Sequence, residues 1–379
     1  MLSTGPNSRT EFSTRACLDS THAHRFGRCY RDSELSLGLC SPKLIRVSNT
    51  LPIAPVSRVQ VDAVEKAALD GVAMGTVHQL ILRQGVEHAR QSASGDKNER
   101  LCVDAAYEVM SDEKVQIGIA HAGFAMAALP HKKTCEVVWE RDGGQIKLLV
   151  ESGLDSSKQA IGIPYGSIAR MILLYLQTQA VRTRSREVEL GASMNAWLTA
   201  MNIPVGGKTY QIVREQSRRI SRCRLTFFRR TTNAELVTNG AFVRDAILPL
   251  DPSESAQIPL WQERVRLDEG FYQSLIEHPL PLRETAIKQI SSRSMAIDLY
   301  VWLAYRLHVL NDPVEIGWPA LRRQFGEGYK ELRFFRRDVL PSLKLALAVY
   351  PEAHLEVDEK AGLTLYPSPP PVPARKGIA

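Results

Sequence analysis

No stretch of the chain is an unbroken apolar run of the roughly 18 residues that a membrane helix needs, so a membrane-spanning helical protein is excluded. Cysteine is sparse and badly spaced for a metal. The six are Cys17, Cys29, Cys40, Cys102, Cys135 and Cys223, and none stands in a CxxC pair. His22 and His24 lie among the first three, but the paired short spacings that clamp a tetrahedral ion are missing, so no metal is expected. Free thiols in a reducing cytoplasm are the expectation. An apolar leader core is also missing: Arg9 and Arg15 are followed by polar residues, which argues against a secretory signal. Charge of one sign is scarce overall. Lys+Arg number 48 and Asp+Glu 41 in 379 residues, a net +7. Such a surplus means little if spread and a great deal if gathered in one place.

Catalytic constellations are equally scarce. Gly207-Lys208-Thr209 has the ending of a phosphate-binding loop, but the glycine required five positions earlier is replaced by Asn202, and a helix rather than a strand precedes it. His22-Ala23-His24 has the paired histidines of rolling-circle nucleases without a flanking strand, which chance explains. No spacing gathers carboxylates for two-metal phosphoryl chemistry, and no serine nucleophile elbow is present. No catalytic residue and no cofactor are therefore assigned, and a non-enzymatic protein is expected.

What the chain does contain is a repeated order of elements. Residues 1–58 are rich in Ser, Thr, Arg and Pro without apolar period and read as disordered. Met74, Met110 and Met126 leave room for a natural start downstream of them. Residues 59–99 read as a helical extension (Val61, Val64, Ala68 and Val72 at helical spacing over 60–91) and a loop at 92–99, followed by a helix from Arg100 to Met110. From Thr134 the period becomes two, and TCEVVWERDGGQIKLLVES predicts a hairpin turning at Asp142-Gly143-Gly144.

Next, Tyr165–Val181 predicts an apolar helix, Glu187–Leu190 an extended piece, and Ser193 the cap of a second helix. The turn NIPVGG leads to a third helix, Lys208–Arg224; LTFFRR is then a strand, 231–240 a polar loop, and GAFVRDAIL the return strand. The same order recurs without sequence identity. Ser294–Leu310 is an apolar helix, Val314–Ile316 extended, Pro319–Phe325 a short helix, and Gly326 and Gly328 a turn. Tyr329–Val349 is a third helix that Pro341 should kink or split, and HLEVDEKAGLTLYP a hairpin turning at Lys360-Ala361-Gly362. Helix, strand, helix, turn, helix, hairpin is the order of a winged helix. The expected architecture is α+β: two tandem winged-helix domains, at 100–255 and 256–366, with a disordered N-terminal segment and a mobile Pro-rich tail at 367–379.

The positive charge is gathered on the two third helices. Gly206–Arg230 holds eight basic residues against Glu215 alone, a surplus of +7; Ala320–Lys344 holds seven against three acids, a surplus of +4. Together they make +11 against a whole-chain +7, so the remainder carries −4. In the first stretch Tyr210, Val213 and Ile220 form the apolar face, with Ser217 completing the period, and Arg214, Arg218 and Arg222 form a basic stripe with Gln211 and Arg219 beside it. In the second, Lys330, Arg333, Arg337 and Lys344 form the stripe beside Tyr329, Leu332, Phe335, Val339 and Leu343. Arginine offers a planar fork to guanine or phosphate and glutamine pairs with adenine, so these are side chains for a major groove. Lys208 and Thr209, at a helix start, and Arg229 and Arg230, at the wing, are placed for phosphate. A solvated basic face is the plainer explanation of any single run; its recurrence on two third helices favours DNA. Tyr175, Trp197, Tyr300, Trp302, Tyr305 and Trp318 are expected in the core.

At these residues the chain resembles a known family. VGGKTYQIVREQSRRISRCRLTFF, with IPYGSIARMILLYLQTQAVRTRSREVELGASMNAWL before it, is similar to the plasmid-encoded RepA replication initiators of bacteria. GFAMAALPHKKT, SSRSMAIDLYVWLAYRL and LYPSPPPVPARK fit the same family, and the resemblance covers about residues 100–373. It implies a cytoplasmic bacterial protein that binds repeated duplex sequences at a plasmid origin, helps open an A·T-rich segment, recruits host initiator and helicase proteins, and represses its own transcription. It carries over no individual DNA contact. The hairpin at 135–150 is a candidate surface for homodimer formation. The competing class is a winged-helix transcriptional regulator, which recognition helices alone do not distinguish. A DNA-packaging protein would spread its charge, and the −4 remainder opposes that.

Overall fold

The computed structural model describes residues 75–143, 146–230, 234–245, 264–326 and 328–373, all within the unit Ser41–Ala379; the side chain of Arg230 is not described. The sequence readings for residues 1–74, including Cys17, Cys29, Cys40, His22 and His24, lie outside the described residues, as does the end of the tail at 374–379.

The first described elements are helices α1 (Thr76–Gln84), α2 (Val86–Ser92) and α3 (Lys97–Met110). Gly85, at φ +82°, separates α1 from α2, so the helix expected to run unbroken to residue 91 is divided. The loop expected at 92–99 is shorter: Asp96 caps α3 by accepting from the Asn98 amide at 2.7 Å. Cys102, Val103, Ala105, Ala106 and Val109 form the buried face of α3.

Strand β1 (Ile117–His121) follows, then the single turn α4 (Gly123–Met126). The expected hairpin is present as β2 (Val138–Asp142) and β3 (Ile146–Glu151). Next come α5 (Gly166–Thr183), β4 (Glu187–Glu189), α6 (Met194–Ala200) and α7 (Gly207–Arg222). Ser193 caps α6 as expected, its hydroxyl accepting from the Ala196 amide at 3.2 Å. Strand β5 (Arg224–Arg230) pairs with β6 (Glu235–Ala241), so the return strand begins five residues earlier than Gly240. Val243–Asp245 is a separate strand, β7, paired with β8 (Arg264–Leu267). The hairpin and the wing form one antiparallel sheet in the order β2-β3-β5-β6, while β4 joins β8 and β7.

The segment 264–290 has no element expected from the sequence. It holds β8, α8 (Glu269–Glu277), β9 (Pro279–Arg283) and α9 (Glu284–Gln289). β9 pairs with β1, setting Pro281 opposite Ile119 and Pro279 opposite His121. The amides of Ile119 and His121 turn away from that pairing, to Thr178 Oγ1 at 2.8 Å and Gln177 Oε1 at 2.7 Å on α5. The prolines therefore sit where the ladder asks for no donor.

The second copy of the order is α10 (Ser294–Arg306) with a 3-10 turn at Leu307–Val309, β10 (Val314–Gly317), α11 (Trp318–Phe325), α12 (Leu332–Ala348), β11 (Leu355–Asp358) and β12 (Gly362–Leu365). Its sheet order is β10-β12-β11, so the strand between the first two helices closes onto the hairpin. α12 runs through Pro341 without splitting. The described tail is not a loose end. Ser368 donates its amide to Leu307, Tyr350 donates to the Pro369 carbonyl at 2.7 Å, and Arg283 Nε donates to the Pro371 carbonyl at 2.6 Å. Trp197, Tyr300, Trp302 and Trp318 are buried, and one hydrophobic cluster runs from Ile81 to Leu365.

Candidate nucleic-acid interface

α7 has a polar, basic exterior on a buried apolar stripe. Val213 and Ile220 are buried and Tyr210 half-buried, its hydroxyl bonded to Asn195 on α6. Lys208, Gln211, Arg214, Arg218 and Arg222 are exposed on the opposite side, and Thr209 is half-buried. Gly206 offers no side-chain cap, so the amides of the first turn keep their free donors beside Lys208. Arg218 has Asp155 at 4.0 Å, a loose surface pair. Arg229 is half-buried on β5, opposite Ile146 and Leu236.

Arg219 departs from the sequence reading. Only 5% exposed, it donates from Nη1 to the Ile163 carbonyl at 2.9 Å and from Nη2 to Glu215 Oε1 at 2.8 Å, with its guanidinium over Tyr165. A Cβ at Gly162, whose φ is +94°, would collide with that guanidinium. Arg219 thus fixes the approach to α5 and is withdrawn from any ligand. Its pairing has a second effect. Glu215, the sole acid of the stretch, is engaged by Arg219 and faces Lys133 at 3.6 Å, so it does little to offset the exposed cations.

On the second copy Lys330, Arg333, Arg337 and Lys344 are all exposed along one side, with Phe335, Val339 and Leu343 buried behind them. Lys330 precedes the helix rather than opening it. Here three cations have acid neighbours: Arg333 with Glu331 at 2.8 Å, Arg337 with Asp338 at 2.8 Å, and Lys344 with Glu99 at 3.8 Å. The bond from Arg337 holds the Asp338 carboxyl below its ordinary range. Exposed pairs of this kind are worth roughly 0–1 kcal/mol and yield readily to phosphate. The first face therefore presents bare charge and the second presents charge in reserve.

The two copies are joined by residues the sequence reading missed. Arg170 on α5 meets Asp298 on α10 through two bonds of 2.6 Å, both side chains buried. Its remaining donors go to the carbonyls of Leu129, Pro130 and Gly166. His131 lies beside them, bonded to Ser294 at 3.1 Å; burial, then the charge of Arg170, lowers it to about 4. A lone charge inside each of two apolar helices, GSIARMILLYL and SMAIDLYVWL, was the available signal. A second buried histidine, His121, accepts from the Gly123 amide at Nδ1, stacks on Phe227 and Phe271, and is lowered to about 3, chiefly by burial.

Among the described residues no group of three His, Cys, Asp or Glu is placed to hold a metal. Burial pushes the thiols of Cys102 and Cys223 up to about 11 and about 12. No described helix is long and apolar enough to cross a membrane.

No curated protein matches the chain. Two crystal structures of domains 2 and 3 of RctB are similar to it. One, of selenomethionine derivatives, has 13% identity and a TM-score of 0.43, covering 66% of this chain and 98% of that one. The other has 14% identity and a TM-score of 0.42, covering 64% and 94%. Residues 163–316, from the approach to α5 into β10, match the family described as plasmid encoded RepA protein, so over that segment the chain is similar to the family its motifs resemble.

Proposed function

We propose that the chain is a plasmid replication initiator. On this reading it binds repeated duplex sequences at its origin through two winged-helix units, promotes opening of an adjacent A·T-rich segment, and recruits host initiator and helicase proteins. It supplies no catalysis, acts in the bacterial cytoplasm, and represses its own transcription, with a homodimer as the form suited to repression. The observation that carries the reading is the row of exposed Lys208, Gln211, Arg214, Arg218 and Arg222 on a third helix inside the RepA-matching segment. α7 and α12 are the proposed recognition helices, with Arg229 and Arg230 at the wing. Two such helices on one face of a duplex would read major-groove segments about 34–36 Å apart, one turn of DNA. Arg219 has no part in this, because it is buried.

The test has two arms. In gel-shift titrations on the DNA flanking the gene, the Arg214→Ala/Arg218→Ala variant should lose most of its affinity; unchanged affinity would remove α7 from the interface. The gene supplied in trans should sustain a plasmid carrying only that DNA, whereas a transcriptional regulator would bind it and sustain nothing.

A further inference from the structure

Over residues 208–213 and 330–335 alone, α7 and the start of α12 align in sequence with an offset of 122 residues; beyond that the buried positions part, Ile220 falling on half-buried Ser342. Lys208 falls on Lys330, Tyr210 on Leu332, Gln211 on Arg333 and Val213 on Phe335. Val213 and Phe335 are both fully buried, so the alignment sets the same anchor into each core. The residue before the anchor is then Ile212 in one copy and Phe334 in the other. Both are exposed, 42% and 38%, amid basic and polar side chains. Single exposed apolar residues are ordinary on protein surfaces. Two at one position of two third helices, each on the cationic side, call for a shared partner that is anionic around an apolar centre. Duplex DNA offers one such group in its major groove, the C5-methyl of thymine. Phe334 is already held for it: the guanidinium carbons of Arg333 and Arg337 lie 4.8 and 5.4 Å from its ring centroid. Those contacts fix the ring while leaving it exposed.

We propose that Ile212 and Phe334 each read the methyl group of one thymine, so that each half-site carries a thymine opposite this position. The inference rests on α7 and α12 being the recognition helices.

The probe is a duplex selected by the full-length chain from a random pool, with each thymine replaced in turn by deoxyuridine, which removes only the methyl. Wild-type protein should bind about fourfold more weakly at one thymine in each half-site, as expected for one buried methyl at about 0.8 kcal/mol. Ile212→Ala should abolish the penalty at one of these thymines and Phe334→Ala at the other, with the salt dependence of binding unchanged. A wild-type scan without any thymine response overturns the inference, and it needs no variant that might misfold. So does a Phe334→Ala protein that keeps both penalties. Binding that is salt-dependent but indifferent to methyl groups sinks this inference alone; failure to select any duplex sinks the initiator reading with it.

Discussion

Arg214 and Arg219 are five residues apart on one helix and behave as opposites. Arg214 is exposed and Arg219 is enclosed by Ile163, Glu215 and Tyr165. Arg219→Ala should therefore lower stability by about 2–3 kcal/mol, the cost of losing charge-assisted bonds in a buried place. Arg214→Ala should leave the urea midpoint nearly unchanged, within about 0.5 kcal/mol, and weaken origin binding by about 1–3 kcal/mol. Equilibrium denaturation and gel-shift titration of both variants check the pair. Lys208→Ala should weaken all sequences alike and reduce the salt slope by about one unit if it meets phosphate. The buried histidines add a pH dependence. His121 and His131 are held at about 3 and about 4 in the fold, and both protonate near 6.5 once unfolded. Their contribution is full above about pH 6.5 and is lost as pH falls toward 4, at up to about 1.4 kcal/mol per pH unit for each. Denaturation midpoints at about pH 7 and about pH 5 should differ in that direction; equal midpoints would contradict it.

At the scale of elements, legibility followed periodicity. α5, α6, α7, α10 and α11 lie close to where apolar spacing puts them, because each buries apolar side chains; α6 and α11 also begin at recognisable residues, Ser193 and Pro319. β6 falls where the sequence predicts a polar loop, 231–240, because five of its residues, Glu235–Asn239, are exposed on both faces, and a strand without a buried face has no alternation to show. β9 is the opposite case: it alternates half-buried and buried positions but carries two prolines. Its prolines read as strand breakers, and only the partners of Ile119 and His121 on α5 reveal why they are tolerated. In the tail, composition announces proline's missing donor but not its intact carbonyl. Tyr350 and Arg283 use those carbonyls, and Arg283 also engages Glu352, whose carboxyl burial raises. Ending the chain after Tyr366 should cost about 2–3 kcal/mol, read as a lower thermal midpoint; an unaltered midpoint would return the tail to a passive role.

At the scale of the whole molecule, the buried Arg170–Asp298 pair joins the two copies of the element order. The motifs that carry the RepA resemblance, GSIAR, LPHKK and SMAID, meet at Arg170, His131 and Asp298. The most recognisable stretches of sequence thus include those that hold the two copies together, while the proposed DNA contacts lie on faces whose charge is legible only as a pattern. Removing one partner, as in Asp298→Ala, should destabilise by about 3–5 kcal/mol by stranding a buried guanidinium. Replacing both, as in Arg170→Met/Asp298→Leu, should recover much of that loss in the same denaturation assay.

That joint also bears on inheritance. Arg170 and Asp298 stand 128 positions apart on helices of different copies. A crossover between two related genes anywhere from residue 223 to residue 297 would give a hybrid whose α7 and α12 come from different parents. Such a hybrid keeps its full stability only if the parents agree on this ion pair. Two lineages that had replaced it differently could no longer exchange halves of this protein without a loss of stability.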